Sequence, residues 1–108
     1  MKMPKTKPKL ILEECQGGYM DRIKVEKATE NKLRELDVKG WSPWECSPSI
    51  FDWEYGEKET CYIKEGKAKV KASDQDVEFG KGDIVVFPKG LKCKWQVLET
   101  IRKVYKFG

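Results

Sequence analysis

The stretch from residue 82 to residue 93 decides the fold, and it reads Gly82-Asp83-Ile84-Val85-Val86-Phe87-Pro88-Lys89-Gly90-Leu91-Lys92-Cys93. Its run of apolar residues predicts a short strand that is buried on both faces. Gly82 and Gly90 can adopt the positive φ that tight turns require. Pro88 has no N–H to donate to a strand ladder, so it ends the strand. The stretch therefore predicts a turn, a buried strand, a second turn and the start of another strand.

Alternating apolar and polar residues predict further strands on both sides of this stretch. Residues 50–55 are one example, with Phe51, Trp53 and Tyr55 on one face. Residues 21–27 are another, with Ile23 and Val25 facing inward. The remaining predicted strands cover residues 10–12, as an edge strand, and residues 59–64, 67–72, 77–79, 91–97 and 101–107. Many short strands separated by glycine turns indicate an all-β sandwich or barrel.

The connections between these strands carry three predictions. Thr29 is placed to cap a short helix over residues 30–36, which packs as a lid on the β-core. Residues 41–44 and 47–49 contain prolines and tryptophans, so we expect a rigid loop there. Glu65-Gly66 predicts a hairpin turn between two strands.

The 108 residues predict one barrel domain over residues 21–108, preceded by a tail over residues 1–20 that includes the edge strand. Four lysines and two prolines among the first nine residues predict a disordered start, which could be the stub of a trimmed transit segment. The net charge is +4, but the lysines and arginines are interspersed with aspartates and glutamates over most of the chain. This pattern argues against a nucleic-acid-binding protein. No apolar run approaches the length of a membrane helix. We therefore expect an intracellular protein, cytoplasmic or organellar, with no nucleic-acid or membrane partner.

The chain has no histidine, which excludes every mechanism that uses imidazole as a base, an acid or a metal ligand. The cysteines at 15, 46, 61 and 93 form no pair with the two-residue spacing of structural zinc sites. We read all four as reduced thiols.

The central stretch resembles the second motif of the cupin family. That motif reads glycine, five residues, proline, one residue, glycine, two residues, histidine, three residues and asparagine. Gly82, Pro88 and Gly90 match it, while Cys93 falls on the histidine and Val97 on the asparagine. The resemblance implies an antiparallel double-stranded β-helix, that is, a jelly-roll barrel, with one short helix near its N-terminus. Cupins commonly pair through edge strands, so it also implies a homodimer, with residues 23–27 as the pairing strand.

The first cupin motif ends in a glutamate, six residues and a glycine, and Glu59 and Gly66 match this spacing. The motif has two histidines with one residue between them, and either three or four residues separate the second histidine from the glutamate. The first register puts them at Trp53 and Tyr55, and the second puts them at Asp52 and Glu54. Strand alternation favours the first, because the apolar face should point into the barrel. The motif's opening glycine falls on Ser47 and is missing.

Three further segments, at residues 59–63, 87–90 and 102–105, resemble a group of small single-domain cupins related to ureidoglycine aminohydrolase. The resemblance makes Glu59 and Cys93 the candidate catalytic residues. Glu59 among aromatic residues should have a raised pKa unless it is hydrogen-bonded. Cys93 could be a nucleophile only if a neighbour lowered its pKa. The candidate ligand-binding residues are Trp44, Trp53, Tyr55, Cys61 and Trp95, with Ile63 beside them on the inward face.

Three classes of function remain open. The first is a cupin that binds a small molecule inside its barrel, whether or not it is catalytic. The second is an enzyme with an atypical metal centre at Glu59, Cys93 and Tyr55. The third is a structural or oligomerising barrel that is filled by side chains. We expect no cofactor and no tightly bound metal, because closed and catalytic sites take three or four ligands. A site built from Glu59, Cys61 and Cys93 is the one exception, and it would favour zinc.

Overall fold

A computed structural model describes residues 22–108, in which seven antiparallel strands and one α-helix form a β-barrel. Helix α1 spans Glu30–Leu36 and is followed by a 3-10 turn at Val38–Gly40. The strands are β1 (Lys24–Lys27), β2 (Ser42–Cys46), β3 (Ser49–Glu54), β4 (Glu59–Ala72), β5 (Asp76–Gly80), β6 (Asp83–Phe87) and β7 (Lys92–Phe107).

Two long strands, β4 and β7, organise all the others. They pair with each other from Glu59↔Phe107 to Ala72↔Cys93, and the register shifts between Ile63 and Ala68. The first part of β4 also pairs with β6, and its last part pairs with β5. Likewise β7 pairs first with β3 and later with β2. The pairing thus gives two half-sheets, β1-β6-β4-β7-β2 and β5-β4-β7-β3, which share β4 and β7.

The two half-sheets enclose one apolar core. Phe87 of the first half lies 6.0 Å from Phe79 and 5.5 Å from Trp95 of the second, measured between ring centroids. Buried residues from both halves join the same cluster, including Ile63, Ala68, Val70 and Ile101. Half-sheets packed face to face around a common core form a jelly-roll barrel, and the predicted fold class is confirmed.

The corner between the half-sheets lies at Gly66, where β4 bends. Its φ is +94°, and a Cβ atom built there would collide with the backbone carbonyl of Thr100 on β7. Only glycine allows the two backbones to approach so closely. The predicted hairpin turn at Glu65-Gly66 is therefore wrong. The glycine makes a corner within one continuous strand, with an irregular register instead of a chain reversal.

The central stretch folds as predicted. Ile84, Val85 and Phe87 are buried in β6, and Pro88 follows the end of the strand. Gly82 and Gly90 have φ values of +91° and +85°. The Gly90 N–H donates to the carbonyl of Tyr55, and the Tyr55 N–H donates to the carbonyl of Leu91, so this turn holds the end of β3 in place.

Two other expectations need correction. Residues 42–46 form strand β2 on β7 instead of a rigid loop. Pro43 is tolerated because β2 is an edge strand, where a missing N–H costs no ladder hydrogen bond. Residues 101–107 continue the strand that begins at Lys92, so β7 is one strand.

The N-terminal predictions are met in part. Helix α1 has the predicted bounds, and the Lys32 N–H donates to the Thr29 hydroxyl at its start. In the described part of the chain, every residue of α1 is at least partly exposed, so the helix does not pack as a lid on the core. Strand β1 is shorter than predicted, and Val25 is exposed while Ile23 is buried. The predicted strand at residues 10–12 lies outside the described residues. The expected homodimer stays a prediction.

The helices of the described chain are too short and too polar to cross a bilayer.

Replacing Gly66 by alanine tests the corner. We expect Gly66→Ala to lower the free energy of unfolding by more than Gly82→Ala. Gly82 also has a positive φ but has open space around it, so its alanine variant bears only the backbone cost of about 1–2 kcal/mol. Gly56→Ala is the neutral control, because open space surrounds it and its φ is ordinary. Urea unfolding followed by tryptophan fluorescence gives all three values. Equal losses for Gly66→Ala and Gly82→Ala would contradict the close approach to Thr100.

Candidate functional site

A pocket of about 250 Å³ opens into the barrel beside the start of β4 and the end of β7. Aromatic side chains make up most of its wall. They come from both half-sheets and from the chain just after β3. The lining residues are Trp44, Phe51, Trp53, Tyr55, Glu59, Trp95, Lys103, Tyr105 and Phe107.

The floor of the pocket holds a buried ion pair. Lys103 Nζ on β7 donates to Glu59 Oε2 on β4 at 2.7 Å, and the two side chains are only 6% and 5% exposed. Burying either charge alone would be costly, because the interior replaces little of the lost hydration. Each charge therefore requires the other, and the pair fixes one cation and one carboxylate at the base of an apolar pocket.

Aromatic rings surround the Lys103 ammonium. Nζ lies 4.8 Å from the ring centroids of Trp44 and Trp95, and 5.7 Å from that of Tyr105. The negative faces of aromatic rings attract a cation at such distances, and the attraction strengthens where water is excluded. Trp44 is the β2 residue directly opposite Lys103 in the strand register, so the sheet itself places one ring on the ammonium.

Tyr55 and Trp95 form the second polar contact of the pocket. Trp95 Nε1 donates to the Tyr55 hydroxyl at 3.3 Å. Burial, followed by the negative charge of Glu59, raises the pKa of Tyr55 well above its ordinary value. Tyr55 therefore remains a neutral phenol in neutral solution.

Two aromatic residues at the mouth of the pocket are partly open to solvent. Trp53 on β3 and Phe107 at the end of β7 are each 50% exposed. Tyr55, Trp95 and Phe87 beneath them are buried and packed against one another. The site thus has a rigid base and an accessible rim.

The structure brings together five of the seven predicted site residues: Trp44, Trp53, Tyr55, Glu59 and Trp95 all line the pocket. Cys61 and Cys93 do not. Cys61 is fully buried in the core, beside Ile63, and the Cys93 thiol is turned toward the carbonyl of Trp53 at 3.7 Å. Phe51, Trp53 and Tyr55 share the pocket, in agreement with the first of the two motif registers.

Neither buried cysteine has the environment of a nucleophile. Burial raises the pKa of the Cys61 thiol to about 12. Burial, followed by the negative charges of Glu59 and Asp52, raises that of Cys93 to about 11. At neutral pH both remain thiols, and it is the thiolate that attacks substrates and binds metals. The condition set for a nucleophilic Cys93, a lowered pKa, is not met.

Sequence reasoning missed Lys103. It also missed Phe51, Tyr105 and Phe107 as pocket residues. The signal for Lys103 was present in the alternation of β7, where Cys93, Trp95 and Val97 face inward at odd positions. Carrying that phase on to Ile101 places Lys103 inside the barrel as well. The prediction treated residues 101–107 as a separate strand, so the inward-facing pattern of residues 93–97 was not extended to Lys103.

The pocket does not fit a metal centre built on the cupin motif positions. Of the three histidines and one glutamate in the two motifs, only the glutamate is kept, as Glu59, and the Lys103 ammonium already lies against it. A metal ion bound there would bring a second cation beside the first. Within residues 22–108 no group of three cysteine, aspartate or glutamate side chains is arranged to hold a metal ion.

A jelly-roll barrel with a pocket between its half-sheets is an architecture that cupins share. The family model described as the EutQ-like cupin domain matches residues 33–105. A comparison with curated proteins finds no match.

Solved structures agree with this family. A DUF861 family protein from Thermotoga maritima is 50% identical, with a TM-score of 0.78, over 81% of this chain and 100% of that one. The EutQ protein of Clostridium difficile is 24% identical, with a TM-score of 0.56, over 79% of this chain and 66% of that one. A cupin-2 domain containing protein from Shewanella frigidimarina is 20% identical, with a TM-score of 0.51, over 75% of this chain and 94% of that one. At these lower identities the last two structures show the fold alone.

This chain belongs to the EutQ-like cupin domain family. The cupin resemblance of the sequence is thereby confirmed. The narrower resemblance to the ureidoglycine aminohydrolase group stays a prediction.

Elemental analysis tests the metal expectation. Protein purified without chelators and without an affinity metal column should contain iron, manganese and zinc far below one ion per chain, because the Lys103 ammonium already neutralises the Glu59 carboxylate at 2.7 Å. Near-stoichiometric metal that disappears in Glu59→Gln, but persists in the surface control Glu45→Gln, would show that the carboxylate holds an ion after all.

Proposed function

We propose that this cupin binds a small, flat organic molecule in the aromatic pocket above the Lys103–Glu59 pair. The observation that carries the proposal is the pocket itself, about 250 Å³ in volume and walled by seven aromatic side chains. Apolar pockets with a few polar groups at fixed positions are the usual sites for small ligands.

The shape of the pocket favours a planar ligand. Phe51 and Trp95 on the wall are nearly parallel, with an interplanar angle of 9°, and Tyr55 is nearly parallel to the buried Phe87 behind it, with an angle of 7°. Wall rings held in fixed orientations offer flat faces on which another ring can stack, and such aromatic contacts add about 0.5–1.5 kcal/mol beyond the area that they bury. The volume suits a molecule smaller than most drugs.

The two alternative functions have less support. A filled, purely structural barrel would leave no reason for an accessible aromatic rim around a buried ion pair. A metal centre at Glu59 would have to displace Lys103, and one at Glu59, Cys61 and Cys93 would need two thiols with raised pKa values to ionise. The open pocket therefore supports the first of the three classes.

Indole resonances give a direct test of binding. We expect a mixture of small planar heteroaromatic compounds to shift the side-chain N–H signals of Trp44, Trp53 and Trp95 in nuclear magnetic resonance spectra. Trp41 is an internal control, because it lies outside the pocket. Removing one stacking face with Trp53→Ala should weaken the affinity about tenfold or more, since 1.4 kcal/mol corresponds to a factor of ten.

The matched control is Ile50→Ala, on the same strand, because Ile50 is 63% exposed and does not line the pocket. Its affinity should equal that of the unmodified protein. The proposal fails if no compound shifts the pocket tryptophans, or if Trp41 shifts as much as they do.

A further inference from the structure

The floor of the pocket presents a hydrogen-bond donor next to an acceptor. The Lys103 ammonium has three N–H groups, and within residues 22–108 it donates one hydrogen bond, to Glu59. A carboxylate has two oxygens and about four lone-pair sites, so Glu59 can accept more than the bond from Lys103. Both residues line the pocket. A ligand that reaches the floor therefore meets N–H and carboxylate oxygen side by side.

The charge of this floor is balanced. Lys103 and Glu59 cancel each other at 2.7 Å, and the other side chains of the pocket wall are neutral. An anion would be attracted by Lys103 and repelled by Glu59, and a cation would be attracted by Glu59 and repelled by Lys103. Neither would recover the hydration that it gives up on entering an aromatic cavity. The pocket thus selects against ligands with a net charge.

We infer that the Lys103–Glu59 pair recognises the edge of a neutral, planar cyclic amide, whose carbonyl oxygen accepts from Lys103 and whose ring N–H donates to Glu59. This inference rests on the proposed function, because it requires a ligand in the pocket. In a cyclic amide the carbonyl and the N–H are adjacent and point the same way, which matches a donor and an acceptor in direct contact. Hydrogen bonds to charged groups are also the stronger kind.

The same arrangement offers a fixed positive charge to the carbonyl oxygen of such a ligand. The Lys103 ammonium is a fixed positive charge held by Glu59 and by the rings of Trp44 and Trp95. It can stabilise partial negative charge on a carbonyl oxygen from the position in which it already lies.

A matched set of two-ring compounds tests the inference on the unmodified protein. 2-Quinolinone carries the cyclic amide edge, 1-methyl-2-quinolinone keeps the carbonyl but replaces the N–H by a methyl group, and quinoline lacks the carbonyl. 2-Naphthoate adds a negative charge to a ring system of similar size. Affinities are measured by titration of the pocket tryptophan signals. We expect 2-quinolinone to bind at least tenfold more tightly than the other three.

Two variants locate the recognition. Glu59→Gln removes the anionic acceptor, so 2-quinolinone should lose about tenfold in affinity and approach 1-methyl-2-quinolinone. Arg102→Gln is the control, because Arg102 is the neighbouring residue on β7 but pairs with Glu45 on the surface. Its affinities should be unchanged. The comparison among compounds on the unmodified protein stands even if Glu59→Gln does not fold.

The outcomes separate the two proposals. Equal affinities for 2-quinolinone and 1-methyl-2-quinolinone, or a preference for 2-naphthoate, would overturn the recognition of an amide edge and leave binding in the pocket intact. The absence of any shift of the pocket tryptophans with all four compounds would overturn both proposals.

Discussion

A lysine ammonium cannot remain in the interior of an apolar barrel without a partner, and this constraint accounts for the arrangement of the site. Lys103 is almost fully buried, and Glu59 is its ionic partner. The two residues belong to different strands, and the rings around the ammonium come from β2 and from both ends of β7. Both strands belong to the same half-sheet at this point, and Trp95 reaches the ammonium from the other half-sheet. The pair fixes a charged floor beneath aromatic walls.

The closure of the barrel depends in turn on β4 and β7 running through both half-sheets. Strands that stopped at the corner would place Trp95 and Lys103 on separate elements with no fixed relation. Because β7 continues from Lys92 to Phe107, the register of one strand determines the positions of both residues. Gly66 lets β4 bend at the point where it passes Thr100. One glycine thereby contributes to the geometry of a pocket to whose wall it does not belong.

The fold could be predicted largely from local signals. Gly82, Pro88 and Gly90 mark turns whose chemistry does not depend on distant residues, and the alternation of β3 placed Phe51, Trp53 and Tyr55 on one face. Gly66 was misread because a glycine in a strand pattern fits a hairpin as well as a corner. Only the approach of Thr100, 34 positions later in the chain, distinguishes the two.

The sequence predicted the aromatic residues and the carboxylate of the site, but not its lysine. Inward alternation found the tryptophans and Glu59, but the position of Lys103 depends on a phase carried past the exposed residues Leu98, Glu99 and Thr100. Motif positions drew attention to Cys93 because the cupin motif has a histidine there. The structure shows instead that the cation beside Glu59 comes from the chain itself. A residue at a motif position has the motif's function only when the other residues of that motif are also present.

A double-mutant cycle on the buried pair tests this account of the barrel. The free energies of unfolding are measured for the unmodified protein, Glu59→Gln, Lys103→Met and the double variant. Each single change should cost roughly 3–5 kcal/mol, because it leaves the other charge unpaired, and the double variant should cost much less than their sum. The matched cycle on the exposed pair of Glu45 and Arg102 should give a coupling below about 1 kcal/mol. Equal couplings for the two pairs would contradict the view that a buried, mutually dependent ion pair forms the floor of this cupin's pocket.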